Sequence, residues 1–172
     1  MQKYIGVKEI KAAPMKRGDY NTYRGWEIPV DENPNDDGFL VEYIDGGQAN
    51  HPGHAGYISW SPAGVFERAY RRVDGLTFGQ AIEAMKAGKK VARSGWNGKG
   101  MWVVLMAGMT LPPYSTQGTE RKVNDRTAKW IGENTPFESL PYIAMWTADQ
   151  KWLPGWLASQ TDMLSEDWMI VE

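Results

Sequence analysis

The 172-residue chain carries a formal charge of −2 and a pI near 5.8, so it has room for one ordinary domain or two small ones and lacks the basic excess of a general nucleic-acid binder. It contains no cysteine, which excludes disulfides, thiolate metal sites and cysteine nucleophiles, and no apolar run in it approaches a membrane span. Nine Trp, eight Tyr, four Phe and nine Met are a heavy load for this length, suited to cores, ligand walls and subunit contacts alike.

In chain order, residues 3–13 alternate apolar and polar side chains and predict an edge strand. The Gly, Pro, Asn and Asp content of 14–38 predicts turns and extended chain rather than helix. FLVEY at 39–43 and YISW at 57–60 read as strands, the first with Phe39, Val41 and Tyr43 on one face. Ser61-Pro62 then predicts an N-cap and first-turn proline for a helix whose stripe is Val65, Phe66, Ala69 and Tyr70. Residues 1–73 thus form a small β-rich module closed by a helix.

The second unit, 74–172, opens on the capping box Thr77-Phe-Gly-Gln80, followed by Phe78, Ala81, Ile82 and Met85 on one helical stripe and a left-handed cap at Gly88. Lys89–Arg93 predicts a short strand, SGWNGKG a turn, and Met101–Met106 a strand buried on both faces. Residues 107–140 predict polar turns with at most a short helix near Ala128–Ile131, a long connection of the kind that serves a site or another subunit. Strands at Tyr142–Thr147 and Trp168–Val171 complete the unit, with a short helix capped by Ser159 or Thr161 between them. The expected class is α+β: two small units, each an antiparallel sheet packed with one main helix.

Three constellations are candidates for chemistry. In the 94–100 turn, Gly95, Gly98 and Gly100 leave backbone amides bare, Asn97 offers a donor and an acceptor, and Arg93 and Lys99 add positive charge beside the Trp96 indole. Such a turn suits a flat anionic molecule, with an ordinary hairpin and a core tryptophan as the plain alternative. Ser159, Gln160, Thr161 and Asp162, with Asp167 beyond, cluster polar groups at a helix start; they suit sugar hydroxyls or base edges, or serve only as caps. His51-Pro-Gly-His54 offers two imidazoles with no carboxylate at a matching spacing, and reads as a surface loop rather than a metal site or an acid–base pair. No catalytic residue, metal ligand or cofactor motif is assigned.

Three blocks carry a family resemblance: LTFGQAIEAMKAGKKVARSGWNGKGMWV at 76–103, LPYIAMWTADQKWLPGW at 140–156 and LASQTDMLSEDWMIV at 157–171. In this order they resemble the phage Thoeris anti-defence two family, described as molecular sponges for the cyclic ADP-ribose-type signal of bacterial TIR enzymes. The resemblance implies an α+β fold, a homotetramer with pockets between protomers, and binding of glycocyclic ADP-ribose without cleavage. It carries Arg93, Trp96 and Asn97 from the turn and Gln160, Thr161 and Asp162 from the tail into the ligand site; Gly98 and Lys99 belong to the same turn. Residues 1–73 are additional to the short members and are expected to be a packing collar, an adaptor, or a second site for a nucleotide such as a cyclic dinucleotide.

The expected protein is therefore a non-enzymatic sponge of the host bacterial cytoplasm, with no cofactor, nucleic-acid or membrane partner. An enzyme that hydrolyses or isomerises the signal and a phage structural adaptor are the rival readings.

Overall fold

A computed structural model of the chain describes residues 1–96 and 100–172, and its backbone divides into two compact units, Met1–Arg72 and Val73–Glu172. The class is α+β, with small antiparallel sheets.

In the first unit, β1 (Ile10–Pro14), β2 (Gly38–Tyr43) and β3 (Tyr57–Pro62) pair antiparallel in that order. β1 is shorter than the alternation predicts because its ladder ends at Ile10 opposite Tyr43, where β2 itself stops. Contrary to the turn-rich reading of 14–38, Arg17–Arg24 is a helix, α1. Tertiary contacts override composition here: the returning loop satisfies the first helical amides through Arg17 N–H to Asp36 O and Gly18 N–H to Pro34 O, both at 3.0 Å. Tyr20 then buries against Leu40 and Ile58, and Gly25 ends the helix at φ 69°.

Helix α2 (Ala63–Ala69) is shorter than expected, and its N-cap is Pro62 without a side-chain bond, since Ser61 remains in β3. Phe66 of α2 stacks on Phe39 at 4.0 Å. Because Phe39 and Leu40 are neighbours on a strand they point to opposite faces, so α1 and α2 cover opposite faces of the sheet.

In the second unit, α3 (Phe78–Lys86) has the predicted capping box, with Thr77 and Gln80 satisfying each other's amides, and Gly88 follows it at φ 82°. Next come β4 (Lys90–Arg93), β5 (Trp102–Met106), β6 (Met109–Leu111), α4 (Asp125–Ile131), β7 (Phe137–Ser139), β8 (Tyr142–Trp146), β9 (Trp152–Leu153), α5 (Gln160–Met163) and β10 (Trp168–Val171). Five strands form one sheet in the order β10-β4-β5-β8-β9, and β6 pairs with β7 as a separate ribbon.

The register sorts the faces. Val91, Val103, Met145, Trp168 and Ile170 share the side packed on Ala81, Ile82 and Met85 of α3. The other side carries Lys90, Trp102, Val104, Met106, Tyr142, Trp146 and Trp152, with Trp102 and Trp146 stacked at 6.0 Å and the Lys90 ammonium 5.5 Å from the Trp102 ring. β5 is accordingly not buried on both faces: Val103 on the α3 side is fully buried, whereas Trp102, Val104 and Met106 on the other side are only half-buried, and Leu105 is exposed. Residues 107–140 are more ordered than their polarity predicts. Asn124 caps α4 through Thr127 N–H, and Val123 and Ala128 are buried, with Val123 N–H bonded to Pro112 O.

Candidate functional site

The end of β4, the turn after it and α5 converge on a pair of carboxylates. Arg93 closes β4 on the α3 face, with its side chain 12% exposed. Its Nε donates to Asp167 Oδ1 at 2.7 Å and its Nη2 to Oδ2 at 3.3 Å, a fork on one carboxylate. Its Nη1 donates to Asp162 Oδ1 at 2.8 Å. That same oxygen accepts the indole N–H of Trp96 at 3.0 Å.

Asp162 is held from its other side by Ser159, whose hydroxyl and amide donate to Oδ2 at 2.7 and 3.1 Å while Asp162 N–H returns a bond to the hydroxyl. This capping box starts α5, and the Asp162 carbonyl accepts the Trp168 indole N–H at 2.9 Å. Three indoles meet edge-to-face around the carboxylate: Trp96 lies 5.2 Å from Trp168 and 5.7 Å from Trp156.

The electrostatics follow from the bonds. Burial works against the charged form of Asp162, but the bonds from Ser159, Arg93 and Trp96 outweigh it and bring the carboxyl from 3.8 to about 2. Asp167 is lowered mainly by Arg93, and Arg93 is raised mainly by Asp167. With two carboxylates on one guanidinium, the hub carries one net negative charge.

Two features of the turn follow from contacts within the unit. The Trp96 ring does not stand free of the hairpin; it is half-buried and packs against the core of the unit, because its N–H is bonded to Asp162 and its edge meets two further indoles. Of the glycine amides, that of Gly95 does meet an anion, but an internal one: Gly95 N–H donates to Asp167 Oδ2 at 2.9 Å, the Ser94 hydroxyl donates to the same oxygen, and Ser94 N–H donates to the Asp167 carbonyl. A Cβ on Gly95 would lie 2.9 Å from that carboxylate oxygen, so this glycine is needed for the close approach.

Among the sequence candidates, the structure brings Arg93, Trp96 and Asp162 into one bonded group. Gln160 and Thr161 sit exposed on the first turn of α5, and Asn97, Gly98 and Lys99 lie outside the described residues. The sequence candidates omit Trp156, Trp168 and the central role of Asp167; the Asp167-Trp168 pair placed just before an apolar strand is the signal that marks the last two. Among the described residues no group of three His, Asp or Glu is placed to hold a metal ion, and no helix is long and apolar enough to cross a membrane.

Residues 76–171 match the family model of the Thoeris anti-defense 2-like domain. Over 96 residues the chain is 38% identical to Thoeris anti-defense 2 of Bacillus phage SP01, covering 56% of this chain and 94% of that protein. The match spans α3 to β10 and contains every residue of the carboxylate hub, and the chain belongs to the Thoeris anti-defense 2-like family.

Proposed function

We propose that this protein is a phage anti-defence protein that binds a cyclic ADP-ribose-type immune signal, glycocyclic ADP-ribose, and holds it intact in the host bacterial cytoplasm, so that the Thoeris effector is starved of its activator. Family membership supports the anti-defence role. The observation that carries the ligand reading is the clamping of Trp96: its indole N–H is fixed by Asp162 and its edge by two indoles, which preorganises the ring at the start of the glycine-rich turn.

A sponge must outcompete the effector, and a nanomolar dissociation constant corresponds to about −12 kcal/mol. Stacking a base on one indole supplies about 1–3 kcal/mol. Arg93 and the Gly95 amide are already bonded to carboxylates, so the ligand's phosphates fall to other groups: Lys99, with Asn97 and Gly98 in the same turn, and residues of a neighbouring copy. Gln160 and Thr161 are exposed beside the hub, and in this reading they contact the ligand's ribose or base. A homotetramer would close such pockets between subunits, and the tryptophan-rich second face of the five-stranded sheet is apolar enough to join copies.

Native mass spectrometry of the protein with glycocyclic ADP-ribose and with cyclic dinucleotides reads subunit count and bound mass together. The expected result is a tetramer that binds the ADP-ribose cycle and releases it unchanged after heat denaturation. Release of a hydrolysed or isomerised product would make the protein an enzyme, and the absence of any ligand-bound species would end the proposal.

A further inference from the structure

The unit outside the family match holds a hydrogen-bonded series that sequestration does not use. Glu42, on the α1 side of β2, directs Oε2 at His54 Nδ1, 3.1 Å away. His54 Nε2 lies 3.0 Å from the Tyr23 hydroxyl on α1. Glu42 and His54 are nearly buried, with side chains 13% and 16% exposed, whereas Tyr23 is 40% exposed.

Each member is held in place by further contacts. Glu42 Oε1 accepts the amides of Ala55 and Gly56 at 3.0 and 3.1 Å. The loop carrying His54 is fixed by Asn50, whose amide exchanges two bonds with the Ile58 backbone, and the His51 ring lies over the Tyr23 phenol at 4.3 Å. Gly53 permits that fit, since a Cβ there would lie 3.0 Å from the Tyr23 oxygen.

The tautomer follows from the charges. The bond to His54, followed by those to the loop amides, lowers the Glu42 carboxyl below its usual range, so it has no proton to give. With the carboxylate at Nδ1, that nitrogen carries a ring hydrogen, and in the neutral form of the ring Nε2 is then a lone pair facing the Tyr23 hydroxyl. A hydroxyl, a base within hydrogen-bond reach and a carboxylate orienting that base are the three parts of an activated nucleophile.

We propose that Tyr23, His54 and Glu42 form an acyl-accepting relay, in which the Tyr23 oxygen attacks the carbonyl carbon of an activated ester. The Tyr23 oxygen–carbon bond forms, the ester carbon–oxygen bond breaks, and the Tyr23 proton passes to His54 Nε2 and on to the departing alkoxide. Water taken up through the same imidazole then hydrolyses the acyl-tyrosine, releasing the acid and restoring the hydroxyl, while Glu42 stays ionised throughout. An acyl centre suits the surroundings better than a phosphoryl group: the neighbouring cation, Arg24, is already bonded to Asn50 O and stacked on Trp26. The inference concerns residues of the first unit alone and stands apart from signal binding.

The test uses the full-length protein and p-nitrophenyl acetate, with the acetylated residue located by peptide mass mapping. The expected result is acetylation of Tyr23 about a hundredfold faster than of a free tyrosine amide, with that advantage lost in His54→Gln and no label at position 23 in Tyr23→Phe. Glu42→Gln separates relay from clamp: its carbonyl oxygen still accepts the Ala55 and Gly56 amides, but its NH2 donates to His54 Nδ1 and turns an N–H toward Tyr23. It should fold with an unchanged melting temperature and acetylate at the free-tyrosine rate. Wild-type speed in Glu42→Gln, or acetyl groups on lysines alone, would reduce the series to a loop fastening; if His54→Gln fails to fold, Glu42→Gln decides.

Discussion

The Trp96 indole N–H reaches Asp162 Oδ1 at 3.0 Å across 66 residues of sequence, and it shares that oxygen with the Arg93 guanidinium. One carboxylate thereby fixes both the end of β4 and the ring that follows it.

Trp96→Phe keeps an aromatic face and removes only the N–H, so urea denaturation should show a loss of about 1 kcal/mol. Trp96→Ala also opens space beside Trp156 and Trp168 and should cost about 3 kcal/mol. Signal binding should fall far more in Trp96→Ala than in Trp96→Phe; equal affinities would make the ring a packing element alone.

Asp162→Ala removes the acceptor for Arg93, Trp96 and Ser159 together, and the expected destabilisation is about 3 kcal/mol. Paired with Arg93→Ala, the double-mutant cycle should give a coupling of about 1–2 kcal/mol. Additive losses would mean the two groups act independently.

Acid stability provides a separate measurement. Asp162 ionises at about 2 when folded against 3.8 ordinarily, so its contribution is full above the ordinary value and disappears as pH falls through about 2. The stability lost over that window is on the order of 2 kcal/mol. In Asp162→Asn the acid limb of a stability–pH curve should be shallower by that amount.

Gly95→Ala places a methyl group 2.9 Å from Asp167 Oδ2 and 3.3 Å from Arg93 Nη2. Relieving the contact means loosening the fork, with an expected cost of about 1–2 kcal/mol in thermal or urea unfolding. Gly79→Ala, on the exposed start of α3 with only the Thr77 hydroxyl near its Cβ, should instead hold or raise stability, by up to about 1 kcal/mol.

Local signals in the sequence were enough for α3, because Thr77, Gln80 and the Phe78 to Met85 stripe act within a few residues of one another. The same locality made the last strand visible and narrowed the α5 cap to Ser159 or Thr161, of which Ser159 is the cap. α1 was hidden because its support comes from Pro34 and Asp36, carbonyls of a loop that returns only after the helix ends. The turn was half legible: its Gly95 amide does meet an anion, but that Asp167 supplies it depends on β10 pairing with β4, which no local pattern encodes. His54 read as a surface residue because its carboxylate partner, Glu42, sits on a strand rather than at loop spacing.

β4 pairs with β5 in the ladder at only one position, Val91 opposite Val103, but with β10 along its whole length. Ser94 and Gly95, just after β4, are therefore fastened by Asp167 at the entry to β10, 73 and 72 residues further on. The indole clamp thus assembles only once α5 and β10 have been synthesised, with Asp162 66 residues after Trp96 and Asp167 74 residues after Arg93.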